Sequence, residues 1–283
     1  MSARESRAGG PTLPLIDGAF GGVTPETPPL VLPRVEVVFS SRATRLRTLA
    51  PGHAARPWLE ALASLCDAQQ AAIDAGAHER VDALLRIAAR MSEAPLPAAA
   101  TDAVARVRGA TAETRRAWAT ALDEGMGEAP DAGVALFVAA GLQVEHTART
   151  ASLRADDVPR AETDCPVCRA PAAAGVITGD AKARYLACSR CASAWHRVRV
   201  QCTTCGAGSG LTFFALEDGR APGAKAEACA HCRTYLKLFY EEDRPGIEPL
   251  ADDAATIALD VLLGEAGWAR GGANPLIRAD FGR

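Results

Sequence analysis

Between residues 165 and 232 the chain spells Cys-x-x-Cys four times: Cys165/Cys168, Cys188/Cys191, Cys202/Cys205 and Cys229/Cys232. Eight of the nine cysteines lie in these pairs. Two residues between thiols let one tight turn aim both sulfurs at a single ion, and two such knuckles complete a tetrahedral four-sulfur site. Four knuckles therefore predict two sites. A disulfide framework belongs to small secreted domains. A thioredoxin-like dithiol needs a single pair at the start of a helix in a βαβ setting. Neither accounts for four pairs in a row.

The intervals suggest how the knuckles combine. Nineteen residues separate Cys168 from Cys188 and 23 separate Cys205 from Cys229, each suiting one hairpin that returns its second knuckle to its first. Ten residues separate Cys191 from Cys202, enough for one strand and a connector. Closing the shorter loops costs less entropy. The economical assignment is Cys165, Cys168, Cys188 and Cys191 for one site and Cys202, Cys205, Cys229 and Cys232 for the other. An interleaved cross-brace stays open at this level. Such sites are closed, with no ligand position for water or substrate, and spacing does not separate zinc from iron. Glycine most easily takes the left-handed turn after a knuckle. Only Gly206 stands there, with Arg169, Ala192 and Arg233 at the other three places.

The rest of the chain reads as a helical part ahead of this β-rich one. Residues 1–33 are rich in Gly and Pro and end in Pro28-Pro29-Leu30-Val31-Leu32-Pro33, an extended arm docked at its apolar end. A helix is predicted from Ser40 or Ser41 to Pro51, with Leu46 and Leu49 on its apolar side and Arg42, Arg45 and Arg47 on a basic one. A second runs from about Pro57 to Ala75, where Leu59, Leu62, Cys66, Gln69 and Ile73 share a face. Cys66 there reads as a buried small hydrophobe. A third fits 78–91, Pro95 and Pro97 interrupt, and Thr111 caps a fourth that Gly125 stops. A fifth spans about 131–150, where Gly141 permits close helix packing and His146 suits the C-terminal dipole. No paired-carboxylate motif, nucleophile elbow or phosphate loop appears in this half.

Beyond about residue 160 the period becomes alternating. Short strands are predicted around 176–178, 184–186, 195–200, 211–216 and 234–240, framing the knuckles as in a zinc ribbon or rubredoxin. A final helix starts near Pro249 and ends at Gly271-Gly272. The fold class is thus α+β and multidomain. It comprises an arm (1–33), a helical domain (34–160), two tandem rubredoxin-like or zinc-ribbon four-cysteine modules (161–201 and 202–245), and a C-terminal helix with its tail (246–283).

Composition narrows the functional classes. The net charge is −3, and aromatic residues make up 5% of the chain, which argues against a general nucleic-acid binder. No apolar run reaches the ~18 residues of a membrane span. Gly9, Gly10 and Pro11 follow Arg4 and Arg7 where an export signal has its apolar segment, so the expectation is a cytoplasmic chain with reduced thiols. One stretch is locally basic: Lys182, Arg184, Arg190, Arg197 and Arg199, with no acidic residue between the first and the last. It reads either as a solvated face balancing the thiolates or as a docking surface for an acidic or polar partner. His196 and His231 read as surface or supporting groups, because the sulfur count is already complete.

Several separated stretches together resemble one family, the formate dehydrogenase accessory protein FdhE. They are Arg-Ala-Thr-Arg-Leu-Arg-Thr-Leu-Ala at 42–50, the helix at 58–72 ending in Ala-Gln-Gln, and Cys165-Pro-Val-Cys168. Next come Arg184-Tyr-Leu-Ala-Cys188 through Trp195-His196 to Cys202, and Cys232-Arg-Thr-Tyr-Leu-Lys237. Last are Asp253-Ala-Ala-Thr-Ile-Ala-Leu-Asp260, Gly267-Trp268 and Asn274-Pro275. The chain departs from the family's pattern in its arm and at Arg169, where members usually carry Gly. The resemblance implies a non-enzymatic cytoplasmic maturation factor for respiratory formate dehydrogenase. It implies that the factor binds the enzyme's catalytic subunit and holds two iron ions in rubredoxin-like modules, with the eight cysteines as ligands. The competing readings are a ribbon-type nucleic-acid binder and a rubredoxin-like electron carrier.

Overall fold

The computed structural model describes residues 28–159, 163–217, 219 and 221–277. Most of the predicted arm, the tip of the predicted boundary at 160–162 and the last six residues lie outside the described residues.

Six helices build the first half: α1 (Val38–Leu49), α2 (Arg56–Asp74), α3 (Arg80–Met91), α4 (Ala98–Gly109), α5 (Ala112–Glu124) and α6 (Ala132–Ala151). Their starts follow from local chemistry. Glu79, Thr111 and Asp131 each accept backbone N–H bonds from the first turn of α3, α5 and α6. Gly125, left-handed at φ 69°, ends α5. α4 departs from expectation. Pro97 does not break a helix but stands at its N-cap, where a missing N–H costs nothing, and an alanine-rich segment follows with Ala103, Val104 and Val107 buried.

α1 packs on α2, and α6 runs through the middle of the group against α2, α3, α4 and α5. Leu59, Leu62, Cys66 and Gln69 do share the buried face of α2. Gly141 is where α6 meets α3: a Cβ there would stand 2.8 Å from the Arg80 carbonyl oxygen, so only glycine allows the approach. The expected basic side of α1 is turned inward. Arg42 is buried and donates to Glu248 at 3.0 Å, while Arg45 donates to Asp252.

The second half forms one sheet. Its strands are β1 (Leu30–Val31), β2 (Ala172–Thr178), β3 (Ala183–Cys188), β4 (Ala194–Arg197), β5 (Leu211–Phe214), β6 (Ala224–Cys229), β7 (Thr234–Tyr240) and β8 (Ala269–Arg270). The order is β1-β4-β3-β2-β7-β6-β5, with β8 on β7. β2, β3 and β4 belong to the first module and β5, β6 and β7 to the second. A parallel pairing of β2 with β7 joins them (Gly175 to Leu238, Val176 to Phe239, Ile177 to Tyr240). The apolar end of the arm docks as expected: β1 pairs with β4, and Leu30 lies opposite Trp195.

The C-terminal segment is two helices, not one: α7 (Pro249–Ala255) and α8 (Ile257–Glu265), broken at Thr256. Six of the seven residues of α7 are buried, because it is wedged between α1 and the sheet. Lys237 on β7 has no exposed side-chain surface and is enclosed by Asp253 (2.8 Å) and Asp260 (2.6 Å). Arg270 pairs with the same two carboxylates. The tail then lies so close to β2 that a Cβ on Gly272 would come within 2.1 Å of the Ala172 carbonyl oxygen.

Candidate metal centres

The four knuckles gather by sequence order. Cys165, Cys168, Cys188 and Cys191 form one cluster and Cys202, Cys205, Cys229 and Cys232 the other; within each, all sulfurs lie within 4.8 Å of one another. In the first, Cys165 and Cys191 Sγ are 3.6 Å apart, and Cys168 and Cys188 Sγ 3.3 Å. In the second, the Cys202–Cys232 and Cys205–Cys229 separations are both 3.7 Å. A tetrahedron with metal–sulfur bonds of ~2.3 Å has edges of about 3.8 Å. The donor sets therefore fit a four-thiolate ion in number, chemistry and spacing, and both iron and zinc accept such a set.

The backbone explains why these loops can aim two sulfurs inward. Each of three knuckles turns back on itself: Arg169 N donates to Cys165 O, Gly206 N to Cys202 O and Arg233 N to Cys229 O. The residue after each second cysteine is left-handed, with φ of 62° at Arg169, 58° at Ala192, 77° at Gly206 and 59° at Arg233. Three of these turns bear the steric cost of a Cβ in that region.

Supporting donors surround the sulfurs. Ser193 Oγ lies 3.3 Å from Cys191 Sγ, and Thr234 Oγ1 lies 3.0 Å from Cys232 Sγ. Backbone N–H groups of Cys191 and Thr204 point at Cys188 and Cys202 Sγ. Such donors lower the cost of gathering thiolates. Sequence reading missed Ser193 and Thr234, although the signal was there: a hydroxyl stands two places after the last cysteine of each cluster. Burial pushes the Cys202 thiol up to about 12, whereas the Thr234 hydroxyl and neighbouring thiols more than offset burial at Cys232 and bring it to about 7.

The centres differ in setting. Centre one is enclosed: Cys165, Cys188 and Cys191 are buried. Its second knuckle is docked on the helical half, where Gln143 Nε2 donates to Ser189 O at 2.7 Å and Gln69 Nε2 to Gln143 Oε1 at 2.9 Å. Arg190 of the same knuckle donates to Asp123 O at 3.2 Å. Asp123 also meets His146 at 2.9 Å and Arg80 at 3.2 Å. Burial raises the Asp123 carboxyl, but the hydrogen bond from His146 and the Arg190 and Arg80 guanidinium groups reverse the effect and hold it below the usual carboxylate range. His146 thus serves a carboxylate and not the helix dipole. Centre two has Cys205 exposed and Cys232 half-buried. His231 lies outside it, on the surface near Ser209, and His196 is exposed with its ring edge-on to Tyr185.

The five cations singled out from sequence do not make one open face. Arg184 is 0% exposed and pairs with Glu227 at 2.9 Å, because β3 and β6 turn both side chains under the linker between modules. The expectation that it offers itself to a partner is corrected. Lys182 is taken by Glu242, and Arg190 by the helical half. Arg197 is half-buried and Arg199 exposed.

Comparison with known proteins covers nearly the whole described chain. Models of the FdhE N-terminal region match residues 27–96 and 74–162, of its central domain 164–199 and of its C-terminal domain 200–277. A curated "Protein FdhE homolog" from Pseudomonas putida is 34% identical, over 86% of this chain and 88% of that protein. One from Edwardsiella ictaluri is 33% identical, over 92% of this chain and 93% of that protein. The crystal structure of the FdhE protein from Pseudomonas aeruginosa superposes with a TM-score of 0.78 at 33% identity, covering 89% of this chain and 99% of that one.

Proposed function

The chain belongs to the FdhE family, and from that membership we propose that it is a cytoplasmic maturation factor for respiratory formate dehydrogenase, binding the enzyme's catalytic subunit. One observation carries the reading: the match runs through helical half, both cysteine modules and tail, whereas ordinary ribbon proteins share only the cysteines. The closed centres agree with a protein that acts on a partner.

In this reading the eight cysteines hold two iron ions, one per cluster. Bound iron would supply a one-electron couple and tie each hairpin shut. The chain's own residues do the rest. Ser193, Thr234 and the knuckle N–H groups offset thiolate charge, and Gln143 with Asp123 seats centre one against the helical half. The exposure of Cys205 favours a second reading, in which centre two exchanges electrons with a partner.

Deleting the gene should abolish formate oxidation by membranes of its host, and tagged protein should co-elute with the catalytic subunit of formate dehydrogenase. Unimpaired formate oxidation in the deletion strain would overturn the reading. Metal analysis after anaerobic purification should find iron near two per chain. A colourless zinc protein would remove the electron-exchange reading and leave the maturation role standing.

A further inference from the structure

β5 stands at one end of the sheet, and its composition is unusual for an edge. It reads Leu-Thr-Phe-Phe, with no charge, proline or bulge. Proteins ordinarily blunt an edge strand with such devices, because its outward N–H and C=O groups template another strand.

The register shows which groups face out. Ala230 N donates to Gly210 O, and β5 pairs Leu211 with Cys229, Thr212 with Ala228 and Phe213 with Glu227. Hydrogen-bonded and non-hydrogen-bonded pairs alternate in an antiparallel ladder. Leu211 and Phe213 therefore turn their backbone groups away from β6. Among the described residues nothing bonds to them on that side.

The side chains nearby form a mixed surface. Phe213 shares its face with Glu227, whose carboxylate is bonded to Arg184. The same guanidinium holds the carbonyls of Val198, Arg199 and Gln201. The linker is thereby tied through Arg184 to Glu227, the residue opposite Phe213. Val198, Val200 and Phe213 are 54%, 72% and 49% exposed, so both the linker and β5 present large apolar side chains to solvent. Among the described residues, Arg199 on the linker and Lys225 on β6 are exposed cations, Lys225 with its Nζ 4.9 Å from the centre of the Tyr240 ring, and the Glu227 carboxylate is already paired. Glu217 lies beyond the end of the strand.

We propose that the open edge of β5 takes an extended segment of a partner polypeptide as an added strand, with apolar side chains over Phe213 and Val200 and an acidic one toward Arg199 and Lys225. Main-chain bonds to Leu211 and Phe213 supply affinity, and the flanking side chains supply selection. A second copy of this chain would bring the same cations to the same face, which is why an acidic partner is favoured. Leu211 lies directly opposite the ligand Cys229, so the segment would run beside centre two. This rests on the reading of the chain as a binder of the formate dehydrogenase catalytic subunit and says where and in what form part of that subunit is held.

The test uses the full metal-loaded chain and a labelled set of overlapping peptides covering that catalytic subunit, read by fluorescence anisotropy. At least one peptide combining apolar and acidic residues should bind. Phe213→Asp should weaken it by about tenfold or more. Phe213→Pro, which removes an outward N–H without touching the ladder to β6, should do the same. Met126→Asp, an exposed apolar position on the helical half, should bind as wild type. Unchanged metal content and circular dichroism would show that the variants fold. Full-strength binding by Phe213→Pro, or capture of the whole catalytic subunit with no peptide bound, overturns the edge assignment without touching the maturation reading. A wild-type dimer that Phe213→Asp splits into monomers would likewise overturn it, giving the edge to a second copy.

Discussion

Arg169, Ala192 and Arg233 sit where L-residues pay about 1–2 kcal/mol for a left-handed backbone. What each gives in return differs. Arg233 stacks its guanidinium over Trp268 at 4.1 Å and donates to the Ala266 and Gly267 carbonyls, so its side chain offsets the strain. Ala192 is buried in the core of the helical half. Arg169 is exposed, and no hydrogen bond or ion pair of its side chain appears among the described residues. Arg169→Gly should therefore raise the denaturant midpoint, by about 0.5–1 kcal/mol once glycine's extra unfolded-state entropy is subtracted. Cys66 offers a test of opposite kind. Burial pushes its thiol from 9.0 up to about 12. The folded chain then binds more protons than the unfolded one between those values, so stability is full below about pH 9 and declines as pH rises toward 12. The decline is at most about 4 kcal/mol. Urea unfolding of Cys66→Ala should show a flatter alkaline slope than the parent; equal slopes would mean that the thiol is not what titrates.

At the scale of elements, the docking of the second knuckle on α5 and α6 ties centre one to the helical half. Asp123 faces Arg80, His146 and Arg190 together, so Asp123→Asn leaves two guanidinium groups facing a neutral amide. Breaking a buried pair in this way costs about 3 kcal/mol. The expected result is a lower unfolding midpoint with faster metal loss from centre one than in the parent, followed by a chromogenic chelator, while centre two is unaffected. Much at this scale was legible in the sequence. Periodicity found α1, α2, α3, α5 and α6 because each keeps an apolar stripe at helical spacing, and Gly141 was readable as a packing glycine. α4 was lost because Pro97 reads as a breaker until its place at the N-cap is known. The break at Thr256 was hidden because Ile257, Leu259 and Leu263 continue an apolar pattern across it. Its cause is not local: Lys237 donates to the Thr256 hydroxyl and carbonyl from β7.

Across the whole molecule the two centres are unequal in enclosure, and their metal should leave in order. A chelator in excess should empty centre two first, through the exposed Cys205, with little change in tertiary structure. Centre one should follow slowly, its loss tracking the collapse of the near-ultraviolet dichroism. Simultaneous release would contradict the inequality of their surroundings. The sequence showed both ligand sets, because Cys-x-x-Cys is a local signal. It did not show that Arg184 is spent on Glu227 or Lys237 on Asp253 and Asp260, because those partners meet only when distant strands and helices are brought together. A run of cations without neighbouring carboxylates therefore looked like a surface.

The parallel pairing of β2 with β7 has a consequence for synthesis. β2 emerges from the ribosome about sixty residues before the strand that completes it, and during that interval its inner edge is bare. Closing centre one early would hold the nascent hairpin in register until β7 arrives. Ion supply would then govern the yield of folded chain during translation, with starved cells accumulating protein aggregated through β2 and not folded protein lacking metal.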